Sequence, residues 1–217
     1  MRVPLSRYGR RELWLYGTAL VAVAALSGVF YPYVTAVPAL MLGFLLYFFR
    51  DPEREAPTEP GVLVAPADGR VTEIVECDQE ELGGKACRVS IFLSLFDVHL
   101  NRAPCSGRVV STTYRPGKFL NAMKGESARV NESNTIVIES DEAPGVRVAM
   151  KQVAGVLARR IVCAVEPGSR VARGERVGMI KFGSRTDLLV PVEALRELRV
   201  DVGDRVRAGK SVIGVIQ

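Results

Sequence analysis

GSRVARGERV at residues 168–177 and GDRVRAGKSV at residues 203–212 share the pattern G-x-R-V-x-x-G-x-x-V. Each copy predicts a glycine turn, a short strand, a second turn and a second strand. APADGRV at residues 65–71 matches the opening strand of such a unit. The repeat therefore predicts a β domain that is built from half-motifs.

The remainder of the chain after residue 61 fits this prediction. Short β-rich runs alternate with glycine, proline and acidic turns, and they predict strands at residues 71–75, 88–95, 107–114, 135–139, 147–153 and 161–165. One helical stretch is predicted at residues 193–198. The fold class is mainly β (α+β), and the half-motifs resemble those of biotinyl- and lipoyl-type sandwich barrels. No lysine occupies the hairpin tip that a swinging-arm carrier needs.

The N-terminal segment differs in composition. Residues 13–30 and 34–49 are apolar and uncharged, and Pro32 between them disfavours a continuous helix. Arginines flank both outer ends, which by the positive-inside rule places both ends in the cytoplasm. Residues 1–54 therefore predict a membrane helical hairpin, in preference to a signal peptide or a pair of core helices. Its length leaves open whether it spans the bilayer or enters one leaflet.

Composition narrows the classes of function. Residues 55–60 are a charged, proline-containing linker, and residues 61–217 form the predicted β domain. The net charge of +5 is too small for a nucleic-acid footprint. One histidine and four scattered cysteines predict no zinc site and no other metal site, and favour reduced thiols.

Several polar residues could carry chemistry, although each has an ordinary structural explanation. His99 follows an apolar strand and is either a structural residue or a general acid and base. Asp68 precedes a glycine and is first of all a turn residue. NESN at residues 131–134 is a polar turn, and Lys118 is more often solvated than anion-binding.

Taken together and in order, the motifs resemble the small bacterial phosphatidylserine decarboxylases, a pyruvoyl-enzyme family. The resemblance spans nearly the whole chain. The motifs that carry it are FFRDPER at 48–54, PADG at 66–69, FDVH at 96–99, PGKF at 116–119, NESN at 131–134 and FGSR at 182–185.

The resemblance implies a proenzyme that cuts itself between Gly183 and Ser184 into a β chain, 1–183, and an α chain, 184–217. Ser184 becomes a covalent pyruvoyl group, the cofactor that converts phosphatidylserine to phosphatidylethanolamine and CO₂. His99 and Asp68 are expected in the active site, with His99 as proton donor. The residues expected to bind substrate are Arg115, Lys118, Asn131 and Asn134.

The same resemblance implies location and partners. We expect the hairpin in the inner membrane and the β domain on its cytoplasmic side, in contact with the lipid bilayer and with no nucleic acid. The α and β chains stay associated, and self-association into a homo-oligomer is left open.

Two positions depart from the family pattern. Arg102 stands where longer members have a second histidine three residues after the first, and Ser133 stands where an arginine is common. The base for self-cleavage is therefore left open among His99, Asp68 and water. The alternatives to this function are a membrane-anchored, lipoyl-like adaptor without catalysis and a decarboxylase of another serine lipid such as archaetidylserine.

Overall fold

The chain divides into two compact units, Met1–Glu53 and Arg54–Gln217. The computed structural model describes residues 4–31, 33–118, 130–155, 160–181 and 184–217.

The first unit is helical. A short 3₁₀ helix, Arg7–Gly9, leads into α1, Arg10–Phe30, and a turn connects α1 to α2, Ala36–Phe48. At 1.5 Å per residue the two helices are roughly 32 and 20 Å long. Within the described residues α1 is the helix long and apolar enough to cross a membrane. The two predicted helices are confirmed, while Pro32, which was predicted to end the first, lies outside the described residues.

The second unit is mostly β, as the sequence predicts. A single 3₁₀ turn, Glu80–Leu82, interrupts its described part between β2 and β3. The strands are β1 Val62–Val64, β2 Gly69–Gln79, β3 Gly84–Leu93, β4 Leu100–Arg102, β5 Gly107–Arg115, β6 Ser133–Ser140, β7 Arg147–Val153, β8 Arg160–Cys163, β9 Arg170–Val171, β10 Arg176–Lys181, β11 Ser184–Pro191, β12 Leu195–Leu198, β13 Arg205–Val206 and β14 Val212–Ile216.

These strands form three antiparallel sheets. The largest has eight strands in the order β13-β2-β3-β11-β7-β6-β5-β9, and the two smaller sheets are β1-β14-β12 and β4-β10-β8. The main core covers one face of the large sheet, which we call the inner face; it includes Ile91, Ile136, Met150 and Leu188. A smaller apolar cluster that includes Ala149 and Leu189 lies on the opposite, outer face. The alternation follows from the two-residue period of a strand.

The C-terminal repeat has a counterpart earlier in the chain. APADGRV at residues 65–71 recurs as APCSGRV at residues 103–109, a copy that the strand patterns alone did not reveal. The first of these segments opens β2 and the second opens β5. Each pairs with one copy of the C-terminal repeat, because β13 pairs with β2 and β9 pairs with β5.

The same backbone hydrogen bonds appear in both pairs. Gly203 N donates to Val71 O, and Gly168 N donates to Val109 O, both at 2.8 Å. The β unit is therefore pseudo-symmetric, with one repeat at each edge of the large sheet.

The predicted helix at residues 193–198 is wrong. Leu195–Leu198 is a strand, β12, which pairs with β14. The local sequence has helix-forming residues, but the available edge of β14 provides cross-strand partners that override this weak preference.

Candidate active site

Ser184 begins β11 near the middle of the large sheet. It lies opposite Leu93 of β3, and its side chain is fully buried. Its Oγ makes no hydrogen bond to any residue that the structure describes. A buried hydroxyl without a partner costs about 1–3 kcal/mol, so such a position needs an explanation other than stability. Gly183, the residue before the expected cleavage point, lies outside the described residues.

Side chains along β11 alternate between the two faces of the sheet. Thr186 and Leu188 lie on the inner face, where Leu188 belongs to the main core. Ser184 shares this face, because it precedes Thr186 by two residues. The site at Ser184 is therefore at one end of the main core.

A chain of buried amides lies beside Ser184 on the inner face. Asn134 Nδ2 donates to Gln152 Oε1 at 3.0 Å, and Gln152 Nε2 donates to Asn101 Oδ1 at 2.9 Å. Asn101 Nδ2 then donates to Thr186 Oγ1 at 2.9 Å. All four side chains are buried. The chain fixes β4, β6, β7 and β11 relative to one another, two residues from Ser184.

Arg185 and Asp187 form a buried ion pair on the outer face. Arg185 Nε donates to Asp187 Oδ1 at 2.5 Å, and its Nη2 donates to Ser90 Oγ at 2.8 Å. Each side chain is at most 3% exposed. Sequence reasoning missed this pair, although the R-x-D spacing on a strand places both side chains on one face. It fixes the backbone of β11 directly after Ser184.

His99 is fully buried directly before β4. Its Nδ1 lies 2.9 Å from Asp97 O, and when Nδ1 donates to that carbonyl, Nε2 of the neutral ring is the proton acceptor. His99 O accepts from Ile180 N at 3.2 Å. Because Ile180 lies four residues before Ser184, the structure brings His99 to the strand that leads into the predicted cleavage site.

A tight turn connects β3 to His99. Asp97 Oδ2 accepts from Ser94 N at 2.8 Å and from Ser94 Oγ at 2.6 Å. The turn follows Leu93, the cross-strand neighbour of Ser184. Sequence reasoning did not single out Asp97, although the S-x-x-D spacing is a signal for such a turn.

Asp68 lies at the same end of the sheet as Ser184, just before β2. Arg70 of β2 is opposite Phe92 of β3, and Phe92 is opposite Arg185, so one strand, β3, lies between β2 and β11. The Asp68 carboxylate is buried and forms a bidentate ion pair with Arg54, whose Nη2 donates to Oδ2 at 2.7 Å.

Asp68 Oδ1 also accepts from the backbone N of Ala208 at 2.8 Å. The carboxylate therefore connects the first residue of the β unit, Arg54, to the turn before β14. Sequence reasoning did not predict Arg54 as its partner.

The two predicted asparagines have separate surroundings. Asn134 belongs to the amide chain on the inner face. Asn131 is buried, and its Nδ2 donates to Ala154 O at 2.8 Å. The structure therefore brings Asn134, through Gln152 and Asn101, to the residues around Ser184, whereas Asn131 stabilises the backbone after β7.

The two predicted cations are exposed. Lys118 forms an isolated bridge with Asn131, and its backbone N donates to Val130 O at 2.7 Å. Arg115 Nη2 lies 3.0 Å from Glu81 Oε1, and Arg115 lines a cavity of about 620 Å³ on the outer face. Burial lowers the pKa of Lys151, which lines the same cavity, while Asp187 opposes that change. Arg115 therefore faces away from the inner face, where the Ser184 hydroxyl lies.

The two departures from the family pattern have distinct structural roles. Arg102 is buried, and its Nη1 donates to Gly174 O at 2.8 Å, in one of the C-terminal repeats. Ser133 is buried at the start of β6, between Arg115 and Val153. Arg102 therefore has a structural role, because its side chain connects β4 to the C-terminal repeat at residues 168–177.

Comparisons with known proteins agree with this geometry. Residues 41–214 match the family model described as phosphatidylserine decarboxylase. A phosphatidylserine decarboxylase proenzyme of Desulfotalea psychrophila is 42% identical over 99% of this chain and 98% of its own length.

Two further proteins of the same name are similar to the chain. The protein of Symbiobacterium thermophilum is 47% identical over 94% of both chains, and that of Carboxydothermus hydrogenoformans is 40% identical over 100% of both. The chain therefore belongs to the phosphatidylserine decarboxylase family, whose members are carboxy-lyases that act through a pyruvoyl group formed from a serine by self-cleavage.

Proposed function

We propose that Ser184 is the serine from which the pyruvoyl group forms, and that the chain cuts itself between Gly183 and Ser184. The observation that supports this assignment is the buried Ser184 Oγ, which has no hydrogen-bond partner among the described residues. A hydroxyl that is neither solvated nor hydrogen-bonded is available to react with its own backbone. The residues at this position therefore fit the group that the family carries.

The first step is an N-to-O acyl shift. The Ser184 Oγ attacks the Gly183 carbonyl, the C–N bond breaks and an ester forms, while the proton of the hydroxyl passes to the amine. Loss of the α proton and cleavage of the Cβ–O bond then release a β chain, 1–183, with a carboxylate at its end. Water converts the remaining dehydroalanine to the pyruvoyl group and ammonia. The hydroxyl proton and the α proton both move before water enters, and Cβ of the dehydroalanine then gains a proton, so a nearby group must accept and return protons.

His99 is the group that we assign to proton transfer. Its Nδ1 lies 2.9 Å from Asp97 O, which orients the ring, and its own carbonyl accepts from Ile180 N on the strand that leads to Ser184. Asp68 has a different role, since Arg54 and Ala208 N already occupy both of its oxygens. We therefore assign Asp68 to holding the turn beside β2 in place.

Decarboxylation uses the same end of the core. A pyruvoyl group formed at position 184 would supply a carbonyl that accepts the amine of phosphatidylserine and an electron sink for the loss of CO₂. His99 then returns a proton to the carbon that lost CO₂. The buried, amide-lined surroundings exclude water, which favours loss of a carboxylate. Phosphatidylethanolamine is the product, and Lys118 is our candidate for binding the lipid phosphate.

The helical unit supports a membrane location. The span Arg7–Val29, which includes the apolar core of α1, is long and apolar enough to cross a bilayer, and we propose that α1 and α2 form a membrane hairpin with both ends in the cytoplasm. Arg10 and Arg11 precede this apolar core, and Arg50 follows α2. The β unit is then on the cytoplasmic side of the inner membrane, where the serine headgroup of the substrate is exposed.

The pseudo-symmetry supports a sandwich-type architecture. Two A-P-x-x-G-R-V segments pair with two G-x-R-V-x-x-G-x-x-V segments by equivalent hydrogen bonds. We propose that these are half-motifs of the biotinyl and lipoyl type, used here as a scaffold and without a carrier lysine.

Intact-mass measurement of the purified chain tests the assignment of Ser184. We expect two polypeptides that correspond to residues 1–183 and 184–217, the smaller with a blocked N-terminus. Ser184→Ala should remain one inactive chain, while Ser111→Ala, on β5, should be cut normally. An active Ser184→Ala variant that is cut at the same bond would contradict the proposal.

A further inference from the structure

One row of cross-strand neighbours crosses seven strands at the Ser184 end of the large sheet. Its spacing of about 4.8 Å per strand gives a length of roughly 29 Å. Four of its seven members are arginines. The row consists of Arg115, Ser133, Val153, Arg185, Phe92, Arg70 and Arg205.

Arg70 and Arg205 are adjacent at one end of this row. Both are exposed, and neither forms an ion pair with a residue that the structure describes. Like charges directly opposite each other on neighbouring strands are destabilising. An external anion that binds both side chains would remove this repulsion.

The pseudo-symmetry provides a comparison for this pair. Arg108 and Arg170 occupy the equivalent positions on β5 and β9 and are also directly opposite each other. They lie at the end of the sheet away from Ser184, because Arg115, at the other end of β5, is in the Ser184 row. There Arg170 Nη1 lies 3.0 Å from Asp141 Oδ2. An ion-pair partner is therefore present at one of the two equivalent arginine pairs, and among the described residues none is present at the other.

Phe96 is at the tip of the turn that follows β3. Its side chain is 67% exposed, although it is a large aromatic residue. The two hydrogen bonds from Ser94 to Asp97 hold the turn around it. Leu93, opposite Ser184, directly precedes this turn, so the exposed ring belongs to the same end of the sheet.

We propose that this end of the sheet binds the surface of an anionic phospholipid bilayer. Phe96 enters the interfacial layer, where an aromatic ring is favoured, while Arg70 and Arg205 bind lipid phosphates and carboxylates. The argument for this occupant is charge complementarity, since the substrate is itself an anionic lipid. The inference rests on the proposed function, because it places the Ser184 site at the depth of the lipid headgroups.

Fluorescence of a single tryptophan tests the position of Phe96. Trp14 is the only tryptophan, so Trp14→Phe provides a silent background for Phe96→Trp in the full chain. The probe is vesicles of phosphatidylcholine and phosphatidylglycerol, an anionic lipid that the enzyme does not consume. We expect a blue shift and quenching by lipids brominated near the headgroup. Lys85→Trp in the same background is the matched control, because Lys85 is exposed at the far end of β3.

Two results of this measurement would overturn the proposal. One is quenching at position 96 no stronger than at position 85. The other is a blue shift that depends on protein concentration without vesicles, which would mean that the surface binds another copy of the chain.

Charge reversal tests the two arginines. We expect Arg70→Glu/Arg205→Glu to lower kcat/KM for phosphatidylserine in vesicles about tenfold relative to kcat/KM for a short-chain, monomeric phosphatidylserine, and added salt should reduce the difference. Arg108→Glu/Arg170→Glu is the matched control and should leave the ratio within about twofold. An equal ratio in both variants would contradict the membrane contact. Failure of the proposed function gives a different result, namely no turnover of either substrate by the unmodified chain.

Discussion

The two halves of the β unit build the same turn with different side chains. In one half Ser106 Oγ accepts from Arg173 N at 3.0 Å, and in the other Asp68 Oδ1 accepts from Ala208 N at 2.8 Å. The fold therefore needs only a hydrogen-bond acceptor at this position. The negative charge of Asp68 is additional, and Arg54 neutralises it.

This difference distinguishes the residues that hold the fold together from those that we assign to function. Features that occur in both halves, such as the paired glycine turns, hold the fold together. Three features that occur in one half lie at the Ser184 end of the sheet: the Arg54–Asp68 ion pair, His99, and an arginine pair, Arg70 and Arg205, that has no ion-pair partner among the described residues. Four predictions test this separation.

His99→Gln should have the largest effect, because it removes the proposed proton carrier from the Ser184 end. Turnover should fall about 10²- to 10⁴-fold, the usual contribution of a positioned acid or base. The measurement is the decarboxylation rate divided by the amount of processed 184–217 chain, so that slower self-cleavage is not counted as slower turnover. Normal processing together with a normal rate would remove His99 from the mechanism.

Asp68→Ser gives the first half the residue of the second half. The hydrogen bond to Ala208 N can persist, but the buried Arg54 loses its counter-ion, so we expect a loss of about 3–5 kcal/mol in the free energy of unfolding. Ser106→Ala should cost only about 1 kcal/mol. Denaturation in a Ser184→Ala background keeps the chain in one piece. If Asp68→Ser lowers the free energy of unfolding no more than Ser106→Ala does, the charge of Asp68 adds no stability and the proposed difference between the two halves is wrong.

Gln152→Leu should break the amide chain that connects both halves beside Ser184. It leaves Asn101 Oδ1 and Asn134 Nδ2 without their partner, and we expect a loss of about 2–4 kcal/mol in the free energy of unfolding. Met150→Leu, the next inward position on β7, should cost less than about 1.5 kcal/mol. If Gln152→Leu and Met150→Leu lose the same free energy of unfolding in the Ser184→Ala background, the amide hydrogen bonds do not contribute to stability beyond the volume of the side chains.

Cys105→Ala gives the second half the residue of the first, because Ala67 is the equivalent of Cys105. Burial raises the pKa of the Cys105 thiol from 9.0 to about 12. The folded state therefore keeps a proton that the unfolded state loses, so stability is fully present below pH 9.0 and falls as the pH rises towards about 12.

The slope is at most about 1.4 kcal/mol per pH unit. The free energy of unfolding, measured against pH in the alkaline range, should therefore decline less steeply in Cys105→Ala than in the parent chain. Parallel curves would exclude Cys105 as the source.

Local patterns were sufficient for most elements of the fold. The apolar runs predicted both helices, and short β-rich runs between turn residues predicted strands such as β6 and β7. They failed at residues 195–198, where the partner strand β14 decides the structure. They also failed to pair residues 65–71 with residues 103–109, since the similarity is short and lies in turns.

The sequence predicted which residues belong to the candidate site, but it did not predict which side chains they contact. The motif order indicated Ser184, His99 and Asp68, but the ion pair of Asp68 with Arg54 and the amide chain join residues far apart in sequence. The sequence identified Arg102 only as a departure from the family pattern, and its contact with Gly174 O, far away in sequence, is seen only in the structure.

Sequence by itself determined the apolar helices, the β-rich class and the family, because apolar runs, β-rich runs and the order of motifs are properties of neighbouring residues along the chain. Only the tertiary structure decided which face of β11 holds the Ser184 hydroxyl, which carboxylate pairs with Arg54, and which arginine pair has no ion-pair partner among the described residues. The physical reason is that burial and electrostatic pairing depend on neighbours across strands, and strand register brings together residues that no local pattern connects.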